Sequence, residues 1–295
     1  VKTTPAPFYT FTGNLLAERT LTFADWAPGR TQRARAESFQ VGGKGINVSR
    51  MLHRLGERST ALCFAGGAAG AECTERLRAE GMDFRAFGAD TPTRTGTVVR
   101  GGGHAETTFL GPDASPGAAA VRACADFLDA QPEGLLAVCG SVPGWEAAAF
   151  DPLRAALDRW LQRGQLVADT YGPPLAWLAA RPLALVKINR TEFEGLVPWA
   201  GDGDLAARLN GFPRGGAPRA WVVTDGPGPV RWRDETGQTG ALPPPRVREG
   251  SATGAGDILL ACILQARWRQ GLAWPAAVEF ALPYASAHAA QTLGR

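Results

Sequence analysis

The 295-residue chain has no excess of either charge: 31 lysines and arginines against 28 aspartates and glutamates leave a formal net charge of +3. With no run of like charges, it carries no electrostatic footprint for nucleic acid. Its one basic stretch, GRTQRAR at 29–35, is short and interrupted, and a solvated edge strand is one account of it. Histidine is scarce. His53, His104 and His288 make no metal-ligand spacing with one another or with the cysteines. The five cysteines, Cys63, Cys73, Cys124, Cys139 and Cys262, are odd in number, widely spaced and without a Cys-x-x-Cys pair. Free, buried thiols in a reducing compartment are expected. No basic segment followed by an apolar one opens the sequence, and no apolar run approaches the ~20 residues of a membrane span. The expectation is a soluble cytoplasmic protein with neither a nucleic-acid nor a membrane partner.

What is present is ordinary globular composition, 45% apolar and 20% charged, at a length that suits one large domain or two small ones. Short apolar runs alternate with helical patterns. FYTFT (8–12), TALCF (60–64), DFRAF (83–87), LLAVCG (135–140), QLVADT (165–170), LALVKIN (183–189) and AWVVTDG (220–226) read as strands. INVSRMLHRLG (46–56), AECTERLRAEG (71–81) and DPLRAALDRWLQRG (151–164) read as helices. This alternation predicts a mostly parallel sheet covered by helices on both faces. Two stretches break it. Residues 19–40 alternate polar and apolar around Pro28-Gly29, and TGTVVRGGGHAETTFL (95–110) reads as two strands around a glycine turn. They are expected to form a small antiparallel lid sheet inserted into the core. The core then spans 1–12, 41–94 and 111–295, and the lid spans 13–40 and 95–110. An open lid edge could pair with a second copy, so a homodimer through the lid is one expectation.

Three glycine clusters follow. AGGAAG (65–70) falls one residue short of the dinucleotide fingerprint, with Ala65 in the first glycine's place and Asp90 downstream. A tight strand-to-helix turn is the plainer reading. VGGKGINVS (41–49) is not a Walker A loop, because Gly45 stands where a magnesium-binding Ser or Thr belongs. Its glycines still let backbone approach a ligand, and Asn47 offers donors and acceptors suited to a polyol. In SATGAGD (251–257) small residues open a helix, and Asp257 follows. Exposed amides at a helix start favour an anion, and small residues keep the approach clear. An acid in that turn cannot bind phosphate itself. It can take a proton from a hydroxyl that attacks phosphate. A dipole-stabilising Asp would explain the acid but not the glycines.

GGKGINVS together with TGAGD resembles the ribokinase-like (pfkB) carbohydrate kinases, nearest to the 1-phosphofructokinase and tagatose-6-phosphate kinase branch. Further matches fall in order along the chain: Gly140, Ser141 and Pro143; Asp169 and Gly172; Lys187, Asn189 and Glu192; Thr224, Asp225 and Gly226. The resemblance implies a three-layer α/β/α core with a small antiparallel β lid, and ATP- and Mg2+-dependent phosphorylation of a sugar or sugar phosphate. By the same resemblance Asp257 is the base, the amides of Ala255, Gly256 and Asp257 form an anion hole, and Gly254 stands with them among the catalytic residues. Asn189 and Glu192 organise Mg2+ through water, although Asn-x-x-Glu also fits a helix cap. Lys187, Asn189, Thr224, Gly226, Gly254 and Gly256 face ATP. Asn14, Glu18, Gly42, Gly43, Lys44, Asn47 and Ser141 hold the sugar, with Arg94 and Arg30 as clamp for a substrate phosphate.

The chain departs from the family pattern where the sugar is read. Glu18 replaces the usual aspartate, Ser251 stands where an Asp often opens the second motif, and Gly96 replaces the asparagine of T-R-x-N. Two competing readings are a sugar-phosphate sensor that lost turnover, which an intact Asp257 argues against, and a nicotinamide-dependent oxidoreductase built on AGGAAG.

Overall fold

The computed structural model describes residues 5–101, 104–196, 204–212, 218–247 and 253–290. Strand β1 (Phe8–Thr12) is followed by β2 (Leu16–Phe23), β3 (Ala36–Gly42), helix α1 (Lys44–Arg54), β4 (Ser59–Ala65), α2 (Gly67–Ala79) and β5 (Phe84–Gly88). Next come β6 (Arg94–Gly101), β7 (His104–Leu110), α3 (Ala118–Ala130), β8 (Leu135–Cys139), α4 (Asp151–Trp160), β9 (Gln165–Asp169) and α5 (Pro173–Ala179). The remainder is β10 (Leu185–Asn189), α6 (Arg190–Glu194), α7 (Leu205–Gly211), β11 (Trp221–Thr224), β12 (Val230–Arg233), β13 (Thr239–Leu242), α8 (Ala255–Trp268) and α9 (Trp274–Ala290).

Nine strands form one sheet in the order β13-β12-β11-β10-β9-β8-β1-β4-β5. It is parallel from β5 to β11, and the last two strands turn back antiparallel. β1 and β8 are buried at every position, as strands covered on both faces must be. The two-residue period sorts β8 between the layers. Leu136 and Val138 pack with α3, α4 and α5, whereas Leu135, Ala137 and Cys139 pack with α1, α8 and α9. Helix α8 is buried from Asp257 to Leu264, so its run of apolar residues has no solvent side to differentiate. All five cysteines are buried and unbonded, and burial pushes the Cys63 and Cys262 thiols up to about 12. Among the described residues no helix is long and apolar enough to cross a membrane.

The second sheet has the order β3-β2-β6-β7. Its outer pairs are antiparallel, as the sequence led us to expect, but the central pair β2–β6 is parallel. The cause is topological. β1 runs into β2 and β5 runs into β6, and both departures leave the parallel sheet from its C-terminal edge.

The AGGAAG turn is filled by protein. A Cβ at Gly66 would fall 2.2 Å from the Thr91 carbonyl oxygen and 2.5 Å from that of Ala89. The Gly66 N–H donates to Thr93 Oγ1 at 3.0 Å. Backbone from the following connection sits where a pyrophosphate would lie, which removes the basis for the oxidoreductase reading.

Candidate active site

A cavity of about 440 Å3 lies where the C-terminal ends of β1 and β8 meet the small sheet and the first turns of α1 and α8. Asn14, Glu18, Gly42, Gly43, Lys44, Asn47, Arg94, Ser141, Gly254 and Asp257 all line it, from five separate stretches of chain. Arg30 does not: it is exposed in the turn between β2 and β3, outside the cavity lining. Asn189 and Glu192 line a second cavity, about 570 Å3, and Tyr171 lines both. Thr224 and Gly226 lie outside both linings at the end of β11, where Thr224 is the register partner of Asn189. Ser251 and Ala252 lie outside the described residues.

The start of α8 shows what its glycines do. Gly254 adopts φ 84, a left-handed conformation that costs other residues energy. His288 Nε2 lies against it, 3.1 Å from the Thr253 carbonyl oxygen. A Cβ on Gly256 would fall 2.6 Å from Lys187 Nζ, so that glycine makes room for a buried ammonium group under the helix start. The Asp257 N–H donates to the Gly254 carbonyl at 3.0 Å. That amide is occupied, which corrects the three-amide hole. The N–H groups of Ala255 and Gly256 have no partner among the described residues and remain for an anion.

Asp257 is 4% exposed, and Asn47 Nδ2 donates to its Oδ2 at 2.8 Å. Its carboxyl is pushed up to about 6, first by burial and then by the nearby Asp169 charge, against the pull of Lys187. Asp169, fully buried at the end of β9, takes Lys187 Nζ on Oδ2 at 2.8 Å and Lys44 Nζ on Oδ1 at 2.9 Å. Burial opposes its ionisation, but the two ammonium groups outweigh that and hold its carboxyl below the usual range. For Lys44 burial again opposes the charge, and Asp169 and Glu192 overcome it, keeping the ammonium protonated well beyond neutral pH.

Glu192 and Asn189 form a capping box on α6. Asn189 Oδ1 accepts from the Glu192 N–H at 2.8 Å, and Glu192 Oε2 accepts from the Asn189 N–H at 2.9 Å. Glu192 Oε1 also accepts from Lys44 Nζ at 3.2 Å. Among the described residues no three His, Cys, Asp or Glu side chains cluster to cage a metal. Mg2+ does not need a cage: it keeps several waters and takes one or two carboxylates beside substrate phosphates. The hard oxygen donors of Asn189 and Glu192 on an open cavity wall fit that mode.

On the opposite side, Asn14 Nδ2 donates to Ser141 Oγ at 3.0 Å and to Asp113 Oδ1 at 2.8 Å, and Arg94 Nη1 donates to the same Asp113 oxygen at 2.9 Å. Glu18 on β2 accepts from Gln40, its register partner on β3. Arg50 Nη1 donates to Asn47 Oδ1 at 3.1 Å. Sequence reasoning missed Asp113, Gln40, Arg50 and the place of His288. No local pattern announces them, because each is tied to the site through the tertiary path of the chain or as a lone polar residue on a helix.

Comparison with known proteins places this geometry in a lineage. The pattern of the "pfkB family carbohydrate kinase" family matches residues 14–294. The chain is 29% identical over 238 residues to ATP-dependent 6-phosphofructokinase isozyme 2 of Escherichia coli, covering 77% of this chain and 75% of that protein. It is 30% identical over 265 residues to 1-phosphofructokinase of Xanthomonas campestris, covering 85% and 81%. The fold superposes on phosphofructokinase-2 from Escherichia coli in complex with fructose-6-phosphate with a TM-score of 0.86, at 23% identity, over 96% of this chain and 94% of that one. The protein belongs to the pfkB family of carbohydrate kinases.

Proposed function

We propose that the protein transfers the terminal phosphoryl group of ATP to a hydroxyl of a hexose phosphate. The observation that carries this is the start of α8 at the cavity wall, where the buried Asp257 carboxylate and the open amides lie over the Lys187 ammonium, which Asp169 links to that of Lys44. Phosphoryl transfer asks mainly for positioning and charge stabilisation, and these are its parts. Asp257 takes the proton of the attacking hydroxyl, with Asn47 fixing the carboxylate's orientation. Its pKa of about 6 suits a base that is ionised at neutral pH yet still strong enough to accept a proton. The Ala255 and Gly256 amides, with Lys187 behind them, receive the charge that develops on the transferring group. Lys44 adds a second cation from the α1 side.

Mg2+, held through water by Asn189 and Glu192, would neutralise charge on the ATP phosphates. Thr224 and Gly226 at the end of β11 stand ready for the nucleotide's own phosphates. Arg94 is the clamp for the phosphate already on the sugar, and Asn14, Glu18, Ser141 and the Gly42–Gly43 backbone meet its hydroxyls. The small sheet acts as a lid over them. Its outer strands β3 and β7 have open edges, and Phe109 and Leu110 on β7 are 57% and 54% exposed, which suits pairing with a second copy.

The test is ADP release from ATP and Mg2+ across fructose 6-phosphate, fructose 1-phosphate, tagatose 6-phosphate and unphosphorylated fructose. Release that depends on a phosphorylated sugar is expected. ADP release at the sugar-free rate with every sugar phosphate tried would overturn the reading.

A further inference from the structure

Arg94 already holds an anion. It opens β6 with its side chain 14% exposed, and its Nη1 lies 2.9 Å from Asp113 Oδ1. The same oxygen accepts from Asn14 at 2.8 Å, so one carboxylate engages a donor from the small sheet and a donor from the core. Backbone brings it there. The Gly111 N–H donates to the Thr95 carbonyl at 2.8 Å, which adds one rung to the β6–β7 ladder. Pro112 then restricts the turn, and Asp113 arrives beside Arg94.

Two atoms at this spot are buried without a hydrogen-bond partner: Arg94 Nε, a donor, and Asn14 Oδ1, an acceptor. Buried polar atoms are rarely left unpaired. A phosphate ester with an adjacent hydroxyl would supply what each lacks, an anionic oxygen for the guanidinium and a donor for the amide. The Asp113 side chain is 58% exposed, so its carboxylate can swing to water without disturbing the backbone that carries it.

We propose that Asp113 is a specificity-determining residue: in the empty protein its carboxylate stands in for the phosphate of the substrate, and the substrate's phosphate displaces it. This rests on Arg94 being the phosphate clamp of the proposed reaction. A phosphate monoester carries about −1.5 to −2 charges at neutral pH and three acceptor oxygens, so it outcompetes a single carboxylate for Arg94. A neutral sugar has no charge with which to make that exchange. Asp113 therefore taxes every phosphorylated ligand by the strength of its own ion pair and leaves neutral ligands untaxed.

The experiment is calorimetric binding of fructose 6-phosphate, fructose 1-phosphate and unphosphorylated fructose, without ATP, to wild type, Asp113→Asn and Asp113→Ala, alongside turnover of the same three proteins. A half-exposed ion pair is weak, so removing the carboxylate is expected to tighten sugar-phosphate binding about two- to fivefold in both variants. KM for the sugar phosphate falls in parallel, KM for ATP stays as it was, and fructose, which shares only the Asn14 contact, does not show the same tightening. Unchanged or weaker sugar-phosphate binding in both variants would overturn the proposal, as would no measurable binding by any of the three proteins. Wild type that binds sugar phosphates, tightens on losing Asp113 and releases no ADP would instead sink the kinase reading and leave the counter-ion role standing.

Discussion

Replacing Asp257 with Asn separates chemistry from stability. The carboxyl is 4% exposed, and the fold raises it from 3.8 to about 6. That difference corresponds to about 3 kcal/mol. The sign follows from linkage: the folded protein binds this proton more tightly than the unfolded chain, so the stability it contributes is present below about pH 3.8 and lost as pH rises through about 6. At neutral pH the wild type carries the cost of an ionised buried acid. Asparagine keeps the shape and can still accept the Asn47 hydrogen bond, but it has no charge to bury. Asp257→Asn is expected to raise Tm by roughly 6–12 °C at pH 8, at about 2–4 °C per kcal/mol, with the gain shrinking toward pH 5. The same variant should lose about 10²-fold or more in kcat, because the carboxylate that takes the proton beside the open amides is gone. Wild-type activity should fall as pH drops through about 6. Thermal melts from pH 5 to 8 and steady-state kinetics on the same samples decide it. A variant no more stable than wild type at pH 8 would refute the account of the buried charge. One that turns over near the wild-type rate would refute the base.

Three further outcomes are expected. Arg94→Ala should raise KM for a sugar phosphate about ten- to a hundredfold and leave KM for ATP nearly unchanged; equal weakening of neutral sugars in the same assay would make Arg94 structural. Asp169→Asn leaves Lys187 facing a neutral partner and Lys44 with Glu192 alone, so urea denaturation should show a loss of about 3–5 kcal/mol, and a shift within experimental scatter would show that the buried Lys187 finds another partner. Glu18→Asp shortens an acid that lines the cavity and is tied to Gln40, which should move the sugar ranking toward fructose 1-phosphate, fructose 6-phosphate and tagatose 6-phosphate relative to the best wild-type substrate; identical rankings on one sugar panel would show that Glu18 does not read the sugar.

The alternation of buried strand and amphipathic helix was legible because a central parallel strand is covered on both faces: LLAVC is apolar throughout, and FYTFT interrupts its apolar run only with Thr10 and Thr12, whose hydroxyls find partners in α1. The glycine motifs were legible because close backbone approach leaves few residue choices, as the Lys187 ammonium pressed against Gly256 shows. Arg30 lies outside the cavity lining of this chain, because alternation along residues 19–40 marks a hairpin without fixing where its turn points. Asp169 could be matched to a motif, but its hold on two lysines depends on which strands become neighbours. Asp113 left no trace at all: only the β6–β7 register carries it to Arg94. The Asn189–Glu192 pair shows the opposite case, where a local capping pattern and a ligand-facing one coincide and the structure uses the first while leaving room for the second.

The small sheet joins the core at four places, because β2 and β6 each begin, and β3 and β7 each end, at a crossing between the two sheets. Its strands are also bonded to one another in a single ladder. Glu18, Gln40, Arg94 and Thr108 therefore ride on four different strands of one plate. In the proposed reaction these four side chains would meet a sugar as parts of one bonded plate, so their backbones would reach the substrate together, as the marks of a stamp do.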